Sequence, residues 1–161
     1  MASFVALVEC IKQYNEANSI VLKGKTIPSI GIDESITEED VLSAQERIGF
    51  SLCDSYKDYL KTLGHISCST GHLLGMSRPE NGELEYWFVD ETKRVRELID
   101  EPFPSKNFTV FQVENEDEWF TFIDHANSKI FNYDPFAKDF ILTDRTVFDE
   151  VENIVSMAIG D

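Results

Sequence analysis

The sequence has only three cysteines, Cys10, Cys53 and Cys68, an odd number with no Cys-x-x-Cys pair. That argues against a disulfide framework and predicts free thiols in a reducing compartment. Long apolar runs are missing too. The opening Phe4-Val5-Ala6-Leu7-Val8 stops at Glu9 with no basic region ahead of it, and nothing elsewhere approaches the ~20 residues of a membrane span. The expected location is the cytoplasm. Internal repeats and low-complexity tracts are also lacking. A chain of 161 residues, 42% hydrophobic and with twelve Phe, can instead bury one core, so a single domain over 1–161 is expected.

Basic residues are scarce. Fourteen Lys and Arg against thirty Asp and Glu leave a net charge of -16. A nucleic-acid binder needs a basic face that releases counterions, and no such block exists here. Anionic membranes are disfavoured for the same reason. A basic protein partner suits the charge, since a single-sign field steers oppositely charged surfaces together. Solubility as a monomer or weak dimer accounts for the same charge without any partner.

Apolar periodicity supplies the elements. Phe4, Leu7, Val8 and Ile11 after Ser3 predict an amphipathic helix over about 3–16, and residues 19–36 read as irregular or short extended structure. Thr37 and Asp40 form a capping-box pattern. The helix they start carries Val41, Ala44 and Ile48 on one face and ends at Gly49. After Phe50-Ser51-Leu52-Cys53, Asp54 is the expected N-cap of a second helix with Tyr56, Tyr59, Leu60 and Leu63 buried. Leu84–Val89 has strand character but could lead straight into a helix capped by Asp90 and stopped by Pro102 and Pro104. Runs at 108–113, 119–123 and 130–133 predict antiparallel strands, because the links between them are too short for crossover helices. Phe140-Ile141-Leu142 is a candidate edge strand, and Val147, Phe148, Val151, Ile154, Val155 and Ala158 describe a final helix.

Few constellations carry chemistry. Lys23-Gly24-Lys25-Thr26 ends like a phosphate loop, but Ser19 stands where its first glycine is required. His65, Cys68 and His72 could ligate zinc, yet no fourth ligand stands at a recognisable spacing. The same residues with Asp124 and His125 could be drawn as a Cys-His nucleophile, although nothing places that thiol beside a base. Glu114, Glu116, Asp117 and Glu118 crowd a turn ahead of Trp119. Acid-base work would need one of these carboxylates desolvated, and a hairpin turn keeps them solvated. A charged recognition edge with an aromatic anchor and an ordinary solvated turn with Trp119 in the core both fit. Tyr86, Trp87, Phe120, Phe122 and Phe131 read as sheet core.

The order of parts resembles the SUKH superfamily. The segments that carry the likeness are Ile36-Thr37-Glu38-Glu39-Asp40, Ala44 to Leu52, and Asp54-Ser55-Tyr56-Lys57-Asp58-Tyr59-Leu60. Leu73-Leu74-Gly75-Met76, Trp119 to Asp124 and Val147 to Val151 extend it over about 36–158. Cys53 replaces the family's usual Pro, and Leu63-Gly64-His65 keeps one glycine of Asn-Gly-Gly. The resemblance implies an α+β fold, a mostly antiparallel sheet flanked by helices, and no catalytic residues to carry over. It also implies either a bacterial immunity protein that neutralises a polymorphic toxin or a regulatory scaffold like the yeast cell-wall-assembly regulators.

Charge and resemblance together predict a non-enzymatic cytosolic binder that occludes the basic cleft of a toxin, such as a nuclease domain. No metal, cofactor, nucleic acid or membrane is expected. The candidate contacts are Glu114, Glu116, Asp117 and Glu118, with Glu80, Glu83 and Glu85 as a second acidic edge.

Overall fold

The structure is a computed structural model that describes residues 3–80, 82–114 and 119–160. Ser3 accepts a hydrogen bond from the Ala6 amide and opens α1 (Phe4–Asn18), which buries Leu7, Val8 and Ile11. A short hairpin follows, β1 (Ile20–Leu22) paired with β2 (Lys25–Ile27), with every residue of both strands exposed. The capping box forms as predicted: Thr37 Oγ1 accepts from the Asp40 amide, and the Asp40 carboxylate accepts from the Thr37 amide. Such a cap contributes about 1 kcal/mol and fixes the start of α2 (Glu38–Ile48). Gly49 ends that helix at φ 94°, a left-handed conformation that costs glycine little.

The second predicted cap is corrected. Asp54 is the first residue of α3 (Asp54–Thr62), and Cys53 sits in the cap position without a side-chain capping bond. The buried stripe is as expected, with Tyr56, Tyr59, Leu60 and Leu63 inaccessible to solvent. Both tyrosine hydroxyls still find partners, because a buried polar group without one costs free energy. Tyr56 donates to the Leu74 carbonyl at 2.8 Å and Tyr59 to the Leu73 carbonyl at 2.7 Å. They tie α3 to a hairpin that periodicity did not reveal, β3 (Ile66–Cys68) with β4 (Gly71–Leu73).

The aromatic run at 84–89 is not a strand. Glu85 makes only an isolated bridge to Ser77, and Trp87, Phe88 and Val89 form the first turn of α4 (Trp87–Leu98). Asp90 lies inside that turn and does not cap it. Phe88 and Val89 are buried, while Trp87 keeps 44% of its surface exposed and Tyr86 is half-buried under the Arg47 guanidinium. Tyr86 and Trp87 are therefore not sheet core.

The predicted antiparallel strands are present as β5 (Phe108–Glu114), β6 (Trp119–Asp124), β7 (Lys129–Asp134) and β8 (Asp139–Leu142), in that spatial order. Their two faces bury different sets. Val95 of α4 and Ile99, the residue that caps its end, cover Phe108, Val110, Phe120, Phe122 and Tyr133 on one face. Phe111, Ile123 and Ile130 on the other join the larger core under α1, α3 and α5 (Val147–Gly160). The result is an α+β arrangement of helices around antiparallel sheets.

Candidate functional site

One irregularity builds a polar hollow on the described surface. The register of β5 against β6 shifts by one residue between Val110 and Gln112, so that Val110 opposes Phe122 and Gln112 opposes Thr121. Such a β-bulge reverses which side chains face which side beyond it. Phe111 enters the larger core, its carbonyl taken by the Leu74 amide at 2.8 Å. Gln112 and Glu114 then turn to the α5 side with their partners Thr121 and Trp119.

The opposite wall is the start of α5. Thr146 and Asp149 cap it reciprocally: the Thr146 amide donates to Asp149 Oδ2 at 2.8 Å and the Asp149 amide to Thr146 Oγ1 at 3.1 Å. That cap sets the phase that turns Glu150, Asn153, Ile154 and Met157 toward the sheet. Thr70, at the tip of the β3–β4 hairpin, closes one end by donating to the Ile154 carbonyl at 3.0 Å. Between these walls lies a cavity of about 220 Å³, with Asn132 and Arg145 at its other end.

Glu150 is the unusual member. It is only 5% exposed, on a helix face otherwise occupied by Val147, Val151 and Ile154. Arg145 Nε lies 2.7 Å from Glu150 Oε1, yet its N–H is not directed at that oxygen. Oε1 thus has a counter-charge but no hydrogen bond among the described residues. Burial raises the carboxyl pKa above its usual range. Arg145 opposes the rise, and the charges of Glu114 and Asp149 add to it. The Arg145 guanidinium also reaches Asn132 Oδ1 at 3.4 Å, where Thr121 Oγ1 donates at 3.2 Å.

The predicted acidic residues do not share one place. Glu114 lines this cavity beside Trp119, whose ring meets Phe136 at 6.2 Å. Trp119 is half-buried at the mouth and does not belong to either core cluster. Glu116, Asp117 and Glu118 lie outside the described residues, between Glu114 and Trp119 in the sequence. Glu80 is exposed and pairs with Lys25 Nζ at 3.4 Å, and Glu83 is exposed. Glu85 lines a separate cleft with Arg47, Leu84, Tyr86, Trp87 and Asp90. Glu85 and Glu114 therefore line different depressions. Sequence reasoning missed Glu150, Asn153 and Arg145. Its available signal was a charge on the apolar stripe of the last helix, three residues after Val147.

Two of the three histidines, His65 and His125, are tied into the framework, while His72 is exposed. His65 and His72 approach with ring centroids 6.4 Å apart, but His65 Nδ1 accepts the Gly75 amide at 3.1 Å. The Cys68 thiol is engaged with Thr70 Oγ1 at 3.2 Å. No group of three His, Cys, Asp or Glu among the described residues is arranged to hold a metal ion. The drawn pairing of Cys68 with His125 does not form. His125 Nδ1 accepts the Cys53 amide at 3.0 Å, and its Nε2 meets Thr109 Oγ1 at 2.8 Å, so the ring is a buried bridge between α3 and β5. No helix among the described residues is long and apolar enough to cross a membrane.

Helices around antiparallel sheets, with buried tyrosines fastening the third helix to a hairpin, make an α+β fold. The family model described as SMI1-KNR4 cell-wall, SUKH_5, matches residues 7–149. The chain belongs to that family, within the SUKH superfamily named by the resemblance. A comparison with curated proteins finds no match.

Proposed function

We propose that the protein is an immunity protein that binds and neutralises a cognate bacterial toxin, presenting an acidic surface to a basic active-site cleft. It acts by occupying that cleft and transforms nothing itself. The observation that carries the reading is membership of the SMI1-KNR4 family by a chain of net charge -16. An enzyme that works on nucleic acid carries a basic cleft, so a nuclease domain is the target that this charge fits best. Residues 114–119 are the proposed contact, since the sequence there is rich in carboxylates and its described ends, Glu114 and Trp119, line a polar cavity.

A second reading is favoured by the family's own description, which speaks of the cell wall. There the same surface would serve a regulatory scaffold with no toxin partner. Co-expression with the product of the adjacent gene separates the two. An immunity protein forms a stable complex with that product and restores growth against its toxicity. A scaffold does neither.

A further inference from the structure

We propose that the cavity over Glu150 is a receptor for one arginine side chain of the partner protein. The inference rests on the reading of this molecule as a protein-binding module and names the chemistry of its contact. Three observations lead to it.

The first is the incomplete pairing of a buried carboxylate. Glu150 is nearly inaccessible, lines the cavity, and has one oxygen that no described donor is aimed at. That oxygen is the one 2.7 Å from Arg145 Nε, so the charge is balanced but its hydrogen bonding is incomplete, and a donor aimed at it recovers part of the desolvation cost. The second is the chemistry of the other walls. Gln112, Asn132 and Asn153 bring amide groups, with Asn132 Oδ1 already accepting from Thr121 and Arg145, and Glu114 a second carboxylate, around about 220 Å³ of space. A guanidinium offers five donors in a planar fork and suits one carboxylate surrounded by amide groups better than a compact ammonium does. The third is that a guanidinium already stands at the edge. Arg145 reaches Glu150 without a directed hydrogen bond, keeps about 40% of its side chain exposed, and makes only a 3.4 Å contact to Asn132. Its half-exposed side chain has room to be displaced toward solvent by a better-directed group. Trp119, at the mouth, offers a ring face for the stem of the incoming side chain.

The groups that face Glu150 set its ionisation. Arg145 precedes α5, Glu114 is on β5 and Asp149 is on α5 itself, and two of these three raise the carboxyl pKa along with burial. An arriving cation favours the ionised form, so its binding lowers that pKa.

N-acetyl-L-arginine methylamide is the probe, titrated into the protein at pH 7 with the side-chain amide signals of Asn132, Asn153 and Gln112 followed by NMR. Saturable binding with Kd of about 1 mM is expected for a ligand of this size, with a downward shift of the Glu150 carboxyl titration. Glu150→Gln weakens it about tenfold or more, because the charge-assisted bond is lost. Arg145→Met, which leaves Glu150 in place, tightens it by removing the internal competitor, and it serves as the second variant should Glu150→Gln fold poorly. Unchanged signals in the tens of millimolar, equal affinity in Glu150→Gln, or no gain in Arg145→Met would overturn the proposal. So would equally tight binding of n-butylammonium. Failure here leaves the immunity reading intact if the neighbouring toxin is still bound and neutralised. Failure of that neutralisation with the probe still bound removes the immunity reading and keeps the receptor.

Discussion

The carbonyl oxygen of Gly64 stands where a Cβ on Gly75 would have to go. The same oxygen accepts the Met76 amide at 2.9 Å, and the Gly75 amide donates to His65 Nδ1 at 3.1 Å, so two chain segments touch backbone to backbone. The glycine of Leu73-Leu74-Gly75-Met76 is a packing requirement. Gly75→Ala is expected to destabilise the fold by about 3 kcal/mol, since backbone on both sides must shift. Gly49→Ala, at a left-handed helix end with nothing within 4 Å of the added carbon, should cost only about 1 kcal/mol. Denaturant midpoints of the two variants check the contrast.

Tyr59 is fully buried in α3, and its hydroxyl is fully used. It donates to the Leu73 carbonyl at 2.7 Å and accepts the Ile66 amide at 3.2 Å. Tyr59→Phe keeps the ring but leaves a buried carbonyl and a buried amide unpaired, at a cost of about 1–3 kcal/mol. Chemical denaturation measures the loss. Hydrogen exchange at the Ile66 amide should speed up more than in the rest of the core.

Stability should fall as the solution is acidified from neutral pH. Burial lowers the pKa of His125 to about 3 and of His65 to about 4, the latter with help from the nearby His72 charge. Each ring also accepts a backbone amide at Nδ1, so that protonation there would set two donors against each other. The unfolded chain takes up these protons near pH 6.5 while the folded chain does not. The stabilisation is therefore complete above about 6.5 and is lost downward toward 4 and then 3, at up to about 1.4 kcal/mol per pH unit for each ring. Denaturation of His125→Gln at pH 7, 6 and 5 should show a shallower decline than the native chain. A decline of equal slope would count against His125 as its source.

Much of the frame was legible because local signals agreed with tertiary ones. The Thr37–Asp40 box, the Gly49 stop and the short links between strands each have one favourable geometry. The run at 84–89 left two readings open because its aromatic residues fit a strand as well as a buried helical turn, and only the packing of Phe88 against Tyr56, at 5.2 Å, decides between them. The cavity was not legible. It depends on a single-residue bulge at Phe111 and on residues from a hairpin tip, three strands and the last helix, whose meeting no periodicity encodes. Its one visible sign was Glu150 among the apolar positions of that helix.

The proposed edge is tested most directly by the salt dependence of association with the adjacent gene's product, comparing the native protein with a variant in which Glu114, Glu116, Asp117 and Glu118 are all changed to Lys. A single-sign surface accelerates encounter at low ionic strength, so the native association rate should fall steeply as salt rises. The variant should associate at least about tenfold more slowly at low salt and show a nearly flat dependence. Equal rates and equal salt slopes for the two proteins would contradict the account.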